Sequence, residues 1–469
     1  MTLRLFNTLS GEKEEFQPLG PPKVKMYVCG ITPYDETHLG HARAYVTFDM
    51  VRRHLTSSGY QVTYVQNITD IDDKIIKKSQ QEQKPFSEIV KIYSNAYFEV
   101  MDKLNVQRAD MYPKATEAIR DMVRVIRDLV RLGFAYQIGG DVYYQVSKFA
   151  DYGKLSRRKL DDMKAGARVS INERKKDPMD FALWKAAKEG EPSWDSPWGK
   201  GRPGWHIECS TMSNKLLGET FDIHGGGRDL IFPHHENEIA QAEAFTGKPF
   251  VKYWMHNGFV NINSQKMSKS LGNFFTLRDI FKKFDPMVVR FFLLSTHYRS
   301  PINYSDKEIE SAKEAWARIN KFIKDVDFLI EKSLEKAPET EVEDTEEELL
   351  AFKDKFREAM DDDFNTAGAI AAIFELIHYC NKIIEGEQGV EKETMQVMRD
   401  TVVDLCDLIG LKIEGKVSGN EQIETLVAER TAAKQARDFK KADAIRDQLV
   451  KMNVTIEDTQ YGTRWTKNA

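Results

Sequence analysis

The segment from Lys25 to Val65 constrains the fold more than any other. Lys25–Cys29 reads KMYVC, a short apolar strand punctuated by prolines and Gly30. Apolar residues recur from Thr37 to Leu55 at Ala42, Tyr45, Val46, Phe48, Met50 and Leu55, the pattern of a buried helix. Gln61–Val65 alternates like a second strand. Strand, helix, strand in that order predicts a parallel α/β sheet, because parallel neighbours need a crossover and a helix supplies it. Helices are predicted over Ile75–Leu104 and Ala115–Leu132. A further strand, Phe221–His224, ends at Gly225-Gly226-Gly227, and a helix follows from about Pro233 to Phe245.

The chain has 469 residues, roughly three domains at about 150 residues each. With 73 acids against 68 bases, its net charge of -5 excludes a globally basic nucleic-acid coat but leaves room for a local basic face. No run of 18 apolar residues is present, so no membrane span is expected, and Met1–Ser10 lacks the pattern of a signal peptide. Cys29, Cys209, Cys380 and Cys406 are too few for a disulfide framework, and a reducing cytoplasmic setting is expected. Lys154–Lys176 carries nine bases and three acids, inside a region that reads as an insertion. That run is either a solvated surface or a phosphate-facing patch. After about Ser305 the chain is helix-rich, with periodic stretches at Glu310–Leu334 and Leu349–Ile384. Residues 331–363 hold 14 acids and five bases, and their core, Pro338–Glu348, is predicted to be an exposed linker, with Gly415–Asn420 a second. The tail from Glu429 holds nine bases and six acids.

Three clusters carry chemistry. His38-Leu39-Gly40-His41 sits where strand gives way to helix, and unpaired backbone N–H groups there suit a triphosphate. Lys266-Met267-Ser268-Lys269-Ser270 is a loop whose lysines can stabilise charge developing on a leaving pyrophosphate. His234 and Glu238, in HHENE, stand i and i+4 on one helical face, and with thiolates from Cys29 and Cys209 they could make a four-coordinate zinc site. Two buried cysteines beside a helix-start histidine and an exposed glutamate is the plainer alternative. An HExxH protease motif is excluded, because Ile239 stands where its second histidine would be.

HLGH followed by an intact KMSKS resembles the HIGH and KMSKS signatures of class I aminoacyl-tRNA synthetases. Longer stretches, among them YVCGITPYDETHLGHAR, SPWGKGRPGWHIECS, FDIHGGGRDLIFPHHENEIAQ, STHYRSPINYS and AMDDDFNTAGAIAA, resemble the cysteinyl-tRNA synthetase family along nearly the whole chain. The resemblance implies a Rossmann-like parallel-sheet catalytic domain in two halves, 1–134 and 204–260, split by an insertion at 135–203. A KMSKS loop and stem-contact region would follow at 261–305, then a tRNA-binding helical bundle at 306–414 and a small C-terminal anticodon-binding domain at 415–469. It further implies activation of L-cysteine with ATP and Mg to cysteinyl-adenylate, then transfer to tRNA-Cys. By the same resemblance Cys29, Cys209, His234 and Glu238 hold one zinc ion that selects the substrate thiolate. His38, His41, Lys266 and Lys269 would be catalytic, and His38, Gly40, His41, Gly226, Asp229 and Lys269 would bind ATP. Thr69, Trp205 and His224 would line the cysteine pocket, and Arg430, Lys434, Lys440, Arg464 and Trp465 would meet tRNA.

Zinc makes chemical sense here. Near-isosteres such as cysteine and serine are separated by only about 1–3 kcal/mol in an ordinary pocket, whereas a soft metal discriminates sulfur from oxygen. No editing domain is expected, nothing demands a dimer, and a monomer is expected. Two rivals are a ligase that joins cysteine to an amino-sugar and a non-catalytic relative. The tail at 424–469 and the two intact signatures favour charging of tRNA.

Overall fold

The computed structural model describes residues 2–158, 175–262, 265–266, 275–332, 342–386, 390–413, 421–459 and 462–467. Its central sheet has four parallel strands in the order Val251–Asn257, Phe221–Gly227, Lys23–Ile31, Gln61–Ile68. The helix Leu39–Ser57 crosses between the last two, as the strand–helix–strand reading requires. Its buried residues run round the helix, from Leu39 and Ala42 to Phe48, Val51 and Leu55. The sheet packs on one side and the helix Pro286–Leu294 on another, tied by Arg290 Nη2 to Asp49 Oδ2 at 2.5 Å. Tyr27, Cys29, Val65, Phe221 and Trp254 belong to one apolar cluster across the sheet.

Gly30 marks the point where the first strand changes register, between Val28 and Ile31. Its N–H donates to Asn67 Oδ1 at 2.8 Å, and a Cβ there would fall 1.5 Å from Asn67 O. Only glycine permits this approach, and the resulting bulge lies beside Cys29.

Several elements differ from the sequence reading. The helix expected over Ile75–Leu104 is two, Asp73–Glu82 and Phe86–Lys103, because Gln83 turns left-handed at φ 52° and Pro85 disfavours helix before it. The insertion is a four-stranded antiparallel sheet, Ala135–Ile138, Asp141–Tyr144, Phe181–Ala186 and Gly201–Pro203, with Tyr144 and Phe181 stacked at 5.0 Å. Much of its basic run, residues 159–174, lies outside the described residues; Lys154 pairs with Glu243 at 2.5 Å.

The linker expected at Pro338–Glu348 is corrected in part. A helix spans Val342–Asp361, because Leu349, Phe356 and Met360 recur at helical spacing and are buried. The second linker, Gly415–Asn420, lies outside the described residues. The helix Thr366–Ile384 reaches a mean hydropathy of 1.3, long and apolar enough by composition alone to cross a membrane. Its Ala369, Ile373, Leu376 and Cys380 are fully buried, as in a core helix.

By compactness the chain forms two units. One comprises Met1–Trp316, Phe352–Ile373 and Leu405–Leu411; the other comprises Ala317–Ala351, Phe374–Asp404 and Lys412–Ala469. In the second, the helices Glu421–Gln435 and Phe439–Lys451 pack on the hairpin Val454–Thr459 and Gly462–Lys467 around Ile423, Ile445 and Leu449.

Candidate active site

His38 and His41 begin the first helix by capping each other. His38 Nδ1 accepts from Gly40 N at 3.1 Å and His41 N at 3.4 Å, and His41 Nδ1 accepts from His38 N at 3.3 Å. The rings stack at 3.7 Å. With Nδ1 accepting, a neutral imidazole carries its proton on Nε2, so both rings are set as Nε2–H donors. They line a cleft of about 360 Å³ together with Cys29, Gly30, Gly40, Trp205, Gly226, Asp229 and Asn257–Val260. That volume lies in the range of small-molecule sites. Gly225 faces away instead, and a Cβ there would meet the Phe48 ring at 2.3 Å.

Cys29 continues from this cleft into a fully buried polar cluster. The ligand atoms of Cys29, Cys209, His234 and Glu238 all lie within 4.8 Å of one another. A tetrahedral zinc with Zn–S of about 2.3 Å places two thiolates about 3.8 Å apart. Cys29 Sγ and Cys209 Sγ are 3.8 Å apart, and Cys29 Sγ is 3.6 Å from Glu238 Oε1. The expected helical pairing holds, with His234 Nε2 at 2.9 Å from Glu238 Oε1. The donor set therefore fits zinc in both chemistry and spacing.

Surrounding groups orient these donors. His224 Nε2 lies 2.9 Å from Glu238 Oε2, and His206 Nδ1 lies 2.9 Å from His234 Nδ1. Burial works against a charged Glu238, yet the His224 and His234 imidazoles hold its carboxyl down to about 2. Burial also opposes charge on His234, but Glu238 and Cys209 raise it to about 10. A hydrogen bond from Cys29 lowers the Cys209 thiol to about 6, whereas burial pushes the Cys29 thiol up.

A second overlapping set, Cys29, His224, His235 and Glu238, is equally close. The sequence reading missed His235, whose Nε2 lies 3.2 Å from Cys29 Sγ and whose Nδ1 lies 2.8 Å from His256 Nε2. The HH doublet was a signal for it; nothing local in sequence pointed to His206 or His256.

The other expected site residues are distributed unevenly. Trp205 lines the cleft, stays 40% exposed, and stacks on His234 at 4.1 Å. Thr69 and His224 stand one layer behind the cleft wall. Thr69 Oγ1 donates to Glu208 Oε2 at 2.7 Å and accepts from Asn67 Nδ2 at 3.2 Å; the His224 ring stacks on Trp254 at 4.6 Å. Lys266 is in the short strand Gln265–Lys266, but its side chain, like the whole of Lys269, lies outside the described residues.

Among the expected tRNA contacts, Arg430 is buried and forks onto Asp458 at 2.8 and 2.9 Å, and Lys434 joins it at 2.7 Å. Their charges hold the C-terminal hairpin. Trp465 packs against the domain core with Nε1 3.2 Å from Glu424 Oε1. Lys440 is exposed, beside Phe439 at 61% exposure, and the Arg464 side chain lies outside the described residues.

Residues 15–314 match the family described as tRNA synthetases class I (C) catalytic domain, and residues 355–414 match the DALR domain. The chain is 50% identical to a cysteine–tRNA ligase of Geobacter sp. (strain M21), covering 99% of both chains. It is 49% identical to one of Geobacillus thermodenitrificans (strain NG80-2), covering 100% of both. Among solved structures, a Mycobacterium tuberculosis methionyl-tRNA synthetase in complex with methionyl-adenylate has a TM-score of 0.61 at 17% identity, with 83% of this chain and 90% of that one covered. The LeuRS of a ternary complex from Agrobacterium radiobacter K84 has a TM-score of 0.58 at 12% identity, with 86% and 88% covered. At such identities these two establish a shared fold.

Proposed function

Because the chain belongs to the cysteinyl-tRNA synthetase family, we propose that its cleft and buried donor cluster together charge tRNA-Cys with cysteine. In the first step a carboxylate oxygen of cysteine attacks the α-phosphorus of ATP and pyrophosphate leaves. In the second, a ribose hydroxyl at the tRNA terminus attacks the carbonyl carbon and AMP leaves. His38 and His41 donate Nε2–H bonds to phosphate oxygens, aided by the N–H groups at the start of their helix. Asp229 takes ribose hydroxyls, Gly40 and Gly226 let the nucleotide approach the backbone, and Lys266 and Lys269 neutralise the departing pyrophosphate.

Cys29, Cys209, His234 and Glu238 would hold zinc, which supplies an affinity for sulfur that oxygen does not match. We favour this set over the one with His224 and His235 because it has two thiolates and because His224 and His206 already brace its outer side. Trp205, stacked on His234 at the cleft, screens the pocket from water.

The single observation that carries the reading is the position of Cys29. Its thiol belongs to the donor cluster, and its residue lines the same cleft as the signature histidines. Sulfur recognition and phosphate binding thus converge on one cavity. ATP–pyrophosphate exchange with cysteine and with serine, then charging of a tRNA-Cys transcript, tests it. Exchange with cysteine alone and formation of cysteinyl-tRNA are expected; equal exchange with serine would overturn it. A cytoplasmic monomer is part of the proposal. Four buried free thiols support the reducing setting, and sedimentation equilibrium tests the oligomeric state.

A further inference from the structure

Two stretches conspicuous in the sequence, Ser295–Ser305 and Ala359–Ala372, take no part in the chemistry above, yet they meet behind the cleft. Asp363 is fully buried and left-handed, with φ of 62°. Its Oδ1 accepts from Phe6 N at 2.8 Å and from the Tyr298 hydroxyl at 2.9 Å, and its Oδ2 accepts from Arg299 Nε at 2.6 Å. Its carbonyl oxygen lies 3.0 Å from His297 Nε2. Three consecutive residues of one loop are thus fastened to one aspartate.

The opposite side of that loop is held by the signature helix. Arg43, two residues beyond His41, is buried and donates to the carbonyls of Leu293, of Thr296 at 3.1 Å and of His297 at 2.8 Å. The loop in turn supports a wall of the cleft. Gly258 N donates to Tyr298 O at 2.8 Å, and a Cβ on Gly258 would fall 2.3 Å from Ser300 O. Asn257 and Gly258 line the same cleft as His38 and His41. A carboxylate–guanidinium contact whose arginine is partly exposed contributes little net stability, so its benefit here is geometric.

We propose that Asp363 is a positioning residue for the nucleotide cleft. Through Tyr298 and Arg299 it fixes the loop 295–300, on which both Arg43 and Gly258 are seated. It thereby sets the distance between the His38–His41 turn and the Asn257–Gly258 wall. The inference rests on the reading of this cleft as the ATP site.

Asp363→Asn tests it, because asparagine tolerates a positive φ, keeps an acceptor oxygen and removes the charge facing Arg299. Tyr298→Phe is a milder second variant. In ATP–pyrophosphate exchange with the full chain, the KM for ATP should rise about tenfold for the first and about threefold for the second. The KM for cysteine and the zinc content should stay at wild-type values. Adding Arg299→Met to Asp363→Asn should cost little more, as expected for one coupled unit. An unchanged KM for ATP in both variants, or KM values for ATP and cysteine rising together, would overturn the proposal. His41→Asn separates this from the underlying reading. If it raises the KM for ATP while the two variants do not, only the positioning role fails. If it leaves that KM unchanged, the ATP-site reading fails and takes the positioning role with it.

Discussion

Replacing Cys209 by serine, beside a His235→Asn variant, distinguishes the two overlapping donor sets. Cys209 is buried in the helix Trp205–Leu217, so serine fits without strain and leaves almost no cavity. The serine oxygen reaches less far than sulfur and keeps its proton at neutral pH, so one of the four anchoring atoms is lost. Structural zinc sites bind with about 10–16 kcal/mol over four ligands, or roughly 2.5–4 kcal/mol each. Zinc affinity should therefore fall about 10²–10³-fold. His235→Asn removes a group that belongs only to the alternative set, and its affinity loss should stay within about tenfold, the low end of an orienting neighbour. Competition against a chromophoric chelator measures both constants, and cysteine-dependent exchange should weaken in parallel with zinc loss for Cys209→Ser. If His235→Asn loses the metal and Cys209→Ser retains it, the ligand assignment is refuted.

Other expectations follow from individual side chains. Zinc binding must expel the proton from the Cys29 thiol, which burial holds above its usual range. Affinity should thus drop as pH falls, by about tenfold per pH unit for each proton displaced, and chelator competition between pH 6 and 8 checks the slope. Lys269→Ala should slow pyrophosphate exchange by orders of magnitude, and an unchanged rate would remove Lys269 from the reaction. Arg430→Met should destabilise the C-terminal hairpin by about 1 kcal/mol, after allowance for the exposure of Asp458. It should raise the KM for tRNA while pyrophosphate exchange stays unchanged. Arg430 holds the Asp458 carboxyl well below its usual range, so this contribution is present at neutral pH. It is lost only as pH falls below about 4, which acid titration of melting temperature would follow.

What the sequence revealed was local or strongly patterned. The start of the first helix is legible because His38 and His41 are caps as well as site residues, and the His234–Glu238 pairing follows from helical spacing. Long-range pairings were harder to see. The strands Asp141–Tyr144 and Phe181–Ala186 are separated by a charged run that dominates the composition, so the insertion's sheet did not register. Acidic residues before Leu349 read as linker, although they are equally suited to the opening of a helix. Arg430 and Lys434 read as cations for phosphate because nothing in their neighbourhood discloses Asp458, which arrives on a strand 24 residues beyond Lys434. His234 and His235, adjacent in sequence, likewise cannot be ranked as ligands without knowing what stands behind each.

The mutual capping of His38 and His41 has a consequence for variation. Each ring spends its Nδ1 starting the helix, and both residues line the cleft. Chemistry and folding at this turn cannot be tuned independently. A replacement that supplies a better phosphate donor but no acceptor for the main chain unravels the first turn, and one that caps well but lacks a second polar edge is inert. Laboratory evolution of new substrates on this scaffold should accordingly leave both rings untouched and change other cleft-lining residues first.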